Sequence, residues 1–208
     1  HQFGAFHTFS FRNEFEGFNS EPGSGSTIMG YAGIVGFDNV QRHSDPYFHY
    51  HSIHNINQYI DNKSCYLSVA NENQIPTVSA DRDYTLPVGT AYELEATATD
   101  PDGDTIYYCW EQLDSGQVDA ANFGPYNHLG AQARSFQPSL SPIRKIPQME
   151  AVLEGNLTIE NPQTGGQWET VSLVDRTMTW AVTARDRYPA SEGALGRMAF
   201  DIKVLKII

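Results

Sequence analysis

Tyr92-Glu93-Leu94-Glu95-Ala96-Thr97-Ala98-Thr99 alternates apolar and polar side chains without a break. A period of two puts Leu94, Ala96 and Ala98 on one face of a strand, with Glu93, Glu95 and Thr97 on the other. The same alternation returns downstream, from Thr177 to Ala184 and from Met198 to Val204. Ile106 to Trp110 is a continuous apolar run, suited to a core strand, while Val78 and Leu86 to Val88 supply edge strands. Turn signals stand at Pro101-Asp102-Gly103-Asp104 and at Arg185-Asp186-Arg187-Tyr188-Pro189. Residues 77–208 therefore predict a seven-strand antiparallel β-sandwich, and the chain as a whole is mainly β. Residues 114–166 are too long and irregular for one sandwich loop. They predict an insertion, with a short helix near Met149 to Leu153.

Upstream, the polar, proline-ended stretch Asn71-Glu72-Asn73-Gln74-Ile75-Pro76 reads as a linker. Residues 1–70 then form a separate part with a different pattern. Gly and Ser cluster between residues 17 and 26, residues 27–37 are small and apolar, and Ile53, Ile56 and Ile60 fall on one face of a short helix over 52–60. That face is expected to pack on the first part of the chain.

Bulk properties narrow the function. A formal charge of −12 argues against nucleic acid and against an anionic membrane surface, because both require a cationic face. No apolar run approaches the length of a transmembrane helix, so no membrane insertion is expected. Charged residues at 18% against aromatics at 12% suit an extracellular β-rich protein. The chain starts at His1 rather than Met, which reads as a fragment or a processed product.

The start carries the chemistry. His1-Gln2-Phe3-Gly4-Ala5-Phe6-His7 has the spacing H-x-x-G-x-x-H. In the pattern H-E-x-x-H-x-x-G-x-x-H two histidines one helical turn apart bind zinc, and a glycine breaks the helix so that a third can reach the metal. His1 and His7 then fall on the second and third zinc ligands and Gly4 on the breaker, with residues 1–7 expected to end the active-site helix. The first histidine and the catalytic glutamate would lie before His1. Met29, in Ser26-Thr27-Ile28-Met29-Gly30-Tyr31, follows His7 by 22 residues and suits the methionine turn beneath such a site.

The run from His1 to His7, then Glu21 to Gly33, Asn39-Val40-Gln41 and Ser44 to His49, resembles the bacterial secreted reprolysin-like zinc metallopeptidases, a branch of the metzincins. The likeness continues through Pro101-Asp102-Gly103-Asp104, Cys109-Trp110-Glu111-Gln112 and Arg176-Thr177-Met178-Thr179-Trp180, most of the chain. Thr8 stands where animal reprolysins have aspartate, and Val35 where relatives often have cysteine. The resemblance implies the C-terminal part of a metzincin protease domain over residues 1–70, a linker at 71–76, and an immunoglobulin-like module over 77–208. It further implies a secreted or cell-surface location, a protein or peptide substrate, and Tyr31 as an oxyanion stabiliser. It places residues 27–37 along the pocket for the substrate residue after the scissile bond. With the general base outside the chain, the fragment itself is expected to be inactive.

Other constellations have two readings each. Asp100, Asp102 and Asp104 offer carboxylates that Ca²⁺ could use, and equally suit a solvated hairpin turn. His43, His49, His51 and His54 share no single strand or helix face, which favours packing and surface roles over a second metal. Cys65 and Cys109 could pair, but Cys109 sits in a core run and reads as a buried free thiol. Trp110, Trp168 and Trp180 read as core, with an aromatic platform as the competing use. Such a platform belongs to the alternative function, a non-catalytic sandwich for binding or spacing.

Overall fold

The structure is a computed structural model that describes every residue except 66, 68, 69 and 188–195. It is mostly β, with two sheets and few helices, an arrangement compatible with a β-sandwich. The strands are β1 (Thr77–Ala80), β2 (Tyr84–Leu86), β3 (Tyr92–Thr99), β4 (Ile106–Gln112), β5 (Ile143–Ile146), β6 (Arg176–Asp186) and β7 (Met198–Ile207). One sheet has the order β1-β3-β5 and the other β2-β7-β6-β4. The alternation in β3 is realised as read: Leu94 and Ala96 are buried, while Glu93, Glu95 and Thr97 are exposed. Leu94 meets Trp110, Ile146, Met178, Trp180, Val182, Leu205 and Ile207 in a core drawn from both sheets.

Two features depart from a purely antiparallel reading with an irregular insertion. β2 runs parallel to β7, with Tyr84 opposite Leu205 and Leu86 opposite Ile207. The chain leaves β1 in one sheet and enters β2 in the other within a few residues, so β2 must meet the distant β7 in whatever direction that crossing imposes. β5, inside the expected insertion, is the third strand of the smaller sheet. At four residues it is too short to show a period, which is why Ile143-Arg144-Lys145-Ile146 reads as loop. Helix α2 (Met149–Leu153) falls where expected. The turn after Arg187 lies partly outside the described residues.

β6 is buried on both faces, and this decides how residues 1–61 sit. Met178, Trp180 and Val182 face the sandwich core. Ala181, Thr183 and Arg185, on the opposite face, are also buried. Arg185 lies over the Tyr47 ring at 5.5 Å and donates to the Phe48 carbonyl at 3.0 Å. The segment before helix α1 (Tyr50–Asp61) thus covers the outer face of the four-stranded sheet. The N-terminus of α1 is held by the His49 side chain, which accepts from His51 N, and by Glu111 of β4, which accepts from Tyr50 N at 2.8 Å. The buried residues of α1 are Tyr50, Ser52 and Asn55, whereas Ile53, Ile56 and Ile60 are only half-buried. The expected isoleucine face is not the face that packs, because a polar neighbour, Ser20, meets the helix through His51 at 2.9 Å.

A second core joins Val40 to Val118, Phe123 and Trp168. Backbone bonds from Gly23 N to Val118 O at 2.8 Å and from Val118 N to Ser10 O at 2.8 Å stitch the same regions together. The linker at 71–76 separates two stretches of sequence that nevertheless share buried surface.

Candidate metal centre

The first residues form a single turn rather than the end of a helix. Gly4 N donates to His1 O at 3.0 Å, and Gly4 has φ +83°. A side chain at position 4 would be strained there, and its Cβ would lie 2.7 Å from the Tyr59 Cβ of α1. Gly4 therefore does the turning expected of it, through a tighter loop, and lets the turn sit directly on α1.

That turn brings the two imidazoles together. His1 Nε2 and His7 Nε2 are 2.9 Å apart, with ring centroids 4.3 Å apart and the planes nearly perpendicular. Each Nδ1 faces an acceptor: His1 meets the Ala5 carbonyl at 2.9 Å, and His7 meets Glu14 Oε1 at 3.1 Å. Acceptors at both Nδ1 atoms select the tautomer with its proton there, which leaves both Nε2 lone pairs facing each other. Two such lone pairs repel unless a proton or a metal ion sits between them. A carbonyl or carboxylate on the second nitrogen is also the usual outer-shell support of a zinc-bound histidine. Tetrahedral zinc with N ligands at about 2.0–2.1 Å requires the nitrogens about 3.3–3.4 Å apart, within a small ring rotation of the separation here. The donor set fits a metal, with two ligands of the three the pattern calls for.

The backbone at Met29, the residue expected to form the methionine turn, lies beside His7. Thr8 N, next to His7, donates to Met29 O at 3.3 Å. Tyr31 N donates to Ser24 O at 2.7 Å, which sets the Tyr31 ring 4.6 Å from the His7 ring and 4.7 Å from that of Phe9. His1, His7, Met29 and Tyr31 are therefore brought to one place, although the last lies 30 residues from the first. Glu14 had no sequence signal, since it stands in a polar loop and only the fold aims it at His7. Glu21, buried beneath the turn, was equally unmarked.

The other candidates separate from this centre. Asp100, Asp102 and Asp104 place ligand atoms within 4.8 Å of one another. Each carboxylate already has a partner, since Asp102 accepts from Gln74 N at 2.6 Å, Asp104 pairs with Arg187 at 2.7 Å, and Asp100 Oδ1 accepts from Asp102 N and Asp104 N, while Asp100 Oδ2 is buried without one. The cluster ties the linker to the sandwich, and exposed acidic groups of this kind are common without an ion. His43 is exposed, His49 caps α1, His51 bonds Ser20, and His54 stacks on Tyr50 at 5.6 Å. Burial and the neighbouring His49 and His54 depress the His51 pKa to about 3. Cys109 is buried and free, donating to Phe136 O at 3.2 Å, with its thiol pushed up by burial, and Cys65 is free and exposed. Trp110, Trp168 and Trp180 are all buried, so none forms an exposed platform. No described helix is long and apolar enough to cross a membrane.

The chain matches no family model, no curated protein and no solved structure.

Proposed function

We propose that this chain is part of a secreted, extracellular zinc endopeptidase of the metzincin kind, in which His1 and His7 are two of the zinc-binding imidazoles and residues 77–208 are an immunoglobulin-like module. The observation that carries the reading is the pair of Nε2 atoms 2.9 Å apart, each on a ring whose other nitrogen is already engaged. Two imidazoles meet nitrogen to nitrogen where a proton or a metal ion lies between them, and the H-x-x-G-x-x-H spacing favours the metal.

When bound, zinc would supply Lewis-acid polarisation of a peptide carbonyl and a water of lowered pKa. His1 and His7 would hold the ion, and their Nδ1 partners, Ala5 O and Glu14, fix ring orientation. Gly4 supplies the reversal that lets both rings face one point. Tyr31, whose ring lies beside that of His7, would donate to a developing oxyanion. The general base that this chemistry requires would stand three residues before His1, so the chain alone holds an incomplete site for a protein or peptide substrate.

A zinc titration followed by imidazole nitrogen shifts tests the metal site. His1 and His7 should respond together, one ion per chain, and His7→Ala should abolish the response. An unaltered response in His7→Ala would refute the zinc reading. With zinc present, the chain should leave an unstructured protein such as casein uncut. Rapid chelator-sensitive cleavage would refute the incomplete site.

A further inference from the structure

Glu21 is fully buried and accepts from four donors. They are Thr8 Oγ1 at 2.5 Å, Thr27 Oγ1 at 2.6 Å, Ser26 N at 2.9 Å and Thr27 N at 3.2 Å, with Ser26 Oγ 3.3 Å away. One carboxylate therefore clasps the residue after His7 to the two residues that lead into Ile28 and Met29. Ionised acceptors make the stronger hydrogen bonds, so this clasp holds the separation between His7 and the methionine turn.

The clasp continues into the sandwich. Ser26 Oγ is closer to Ser135 O, at 2.9 Å, than to Glu21, and its single proton goes there. Ser135 comes from the region between β4 and β5, and its hydroxyl donates to Glu111 Oε1 of β4 at 2.9 Å. It also accepts from the Tyr47 hydroxyl at 2.6 Å, and Tyr47 O accepts from Ile28 N at 3.0 Å. Two buried routes, through Ser26 and through Tyr47, thus run from Ser135 to the methionine turn. Glu111 anchors the far end, with Tyr50 N on Oε2 and Arg185 at 3.8 Å. Ser26, Tyr47, Glu111 and Ser135 are all buried, so water cannot replace these bonds cheaply.

Resting on the zinc reading above, we propose that Ser135 and Glu111 are positioning residues for the His1–His7 centre, and that the sandwich is a built-in frame of that centre rather than a tethered spacer. Removing the Ser135 hydroxyl leaves the Tyr47 hydroxyl and Glu111 Oε1 without their partner, and so loosens the segment whose Tyr47 carbonyl holds Ile28 N, while the Ser135 carbonyl bonded by Ser26 remains. The methionine turn then loses its fixed distance from Thr8, and the His7 ring loses its alignment with His1.

The test measures Co(II) and Zn(II) affinity of the whole chain under conditions where each variant is shown to be folded by circular dichroism. Ser135→Ala should weaken binding about three- to ten-fold, within or somewhat below the range typical of outer-shell partners. Glu111→Gln, which keeps an acceptor oxygen toward Ser135, should weaken it less. Leu94→Ala, in the sandwich core away from these bonds, should lower stability and leave affinity unchanged. Unchanged affinity in a folded Ser135→Ala overturns the proposal and leaves the zinc reading standing. Failure of the wild-type chain to bind metal through His7 overturns both.

Discussion

At the scale of single residues, this protein is distinguished by buried polar groups whose partners are supplied from far along the chain. Glu21, held by Thr8 and Thr27, and Glu111, at the start of α1, are two such carboxylates, while the exposed Glu14 backs His7 from nearby in the chain. His51 is the residue whose titration has the clearest consequence. Its folded pKa, depressed to about 3, lies below the unfolded value near 6.5, because burial and the adjacent His49 and His54 disfavour the cation. The unfolded chain therefore binds the proton first. Stability should be undiminished above about pH 6.5 and fall by about 1.4 kcal/mol per pH unit as pH drops from there toward 3, to the extent that this residue acts alone. Urea unfolding between pH 7 and 5 measures that slope, and His51→Gln should flatten it. An identical slope in the variant would assign the acid sensitivity elsewhere. The histidines of this segment were legible as packing groups from their mismatched spacing, but the depression of one of them was not, since burial is not a property of spacing.

At the scale of elements, the strands followed from alternation wherever they were long enough to show it. β3, β6 and β7 lie where the period of two placed them, and β4 where the apolar run did. β5 escaped because four residues between prolines carry no period, and the parallel partnering of β2 escaped because direction depends on the distant β7. β6 is the element on which the rest depends, since it pairs with β4 and β7 and is covered on both faces. Trp180→Ala at its centre should cost about 3–5 kcal/mol, the usual loss for a fully buried aromatic. A urea midpoint shifted by much less would mean that the two sheets close over the gap. α1 shows the reverse lesson. Its isoleucine spacing foretold a helix correctly and its buried face incorrectly, because the contacts of α1 come through Tyr50 on Phe200 and His51 on Phe18 and Ser20.

At the scale of the whole molecule, the sandwich and the residues before it share Trp168, Val40, Val118 and Phe123 in one core, and hydrogen bonds cross between them at Gly23, Ser26 and Tyr50. Residues 77–208 alone would expose the Trp168 cluster and the outer face of β6. Such a truncated chain is expected to bind a hydrophobic dye and to unfold without a sharp transition, whereas the full chain unfolds in one step by circular dichroism and by tryptophan fluorescence alike. A sharp, dye-free transition in the truncated chain would show the sandwich to be independent. Local order could be read along the chain, since alternation, a glycine reversal and the His1–Gly4–His7 spacing are properties of neighbours. The facing of two Nε2 atoms and the carboxylate behind His7 come from how the first turn and loop close, and the links from Ser26 to Ser135 and from Ser135 to Glu111 join residues 109 and 24 positions apart. Those were decided in three dimensions, because burial and contact arise only when distant segments pack and no longer have water to bond.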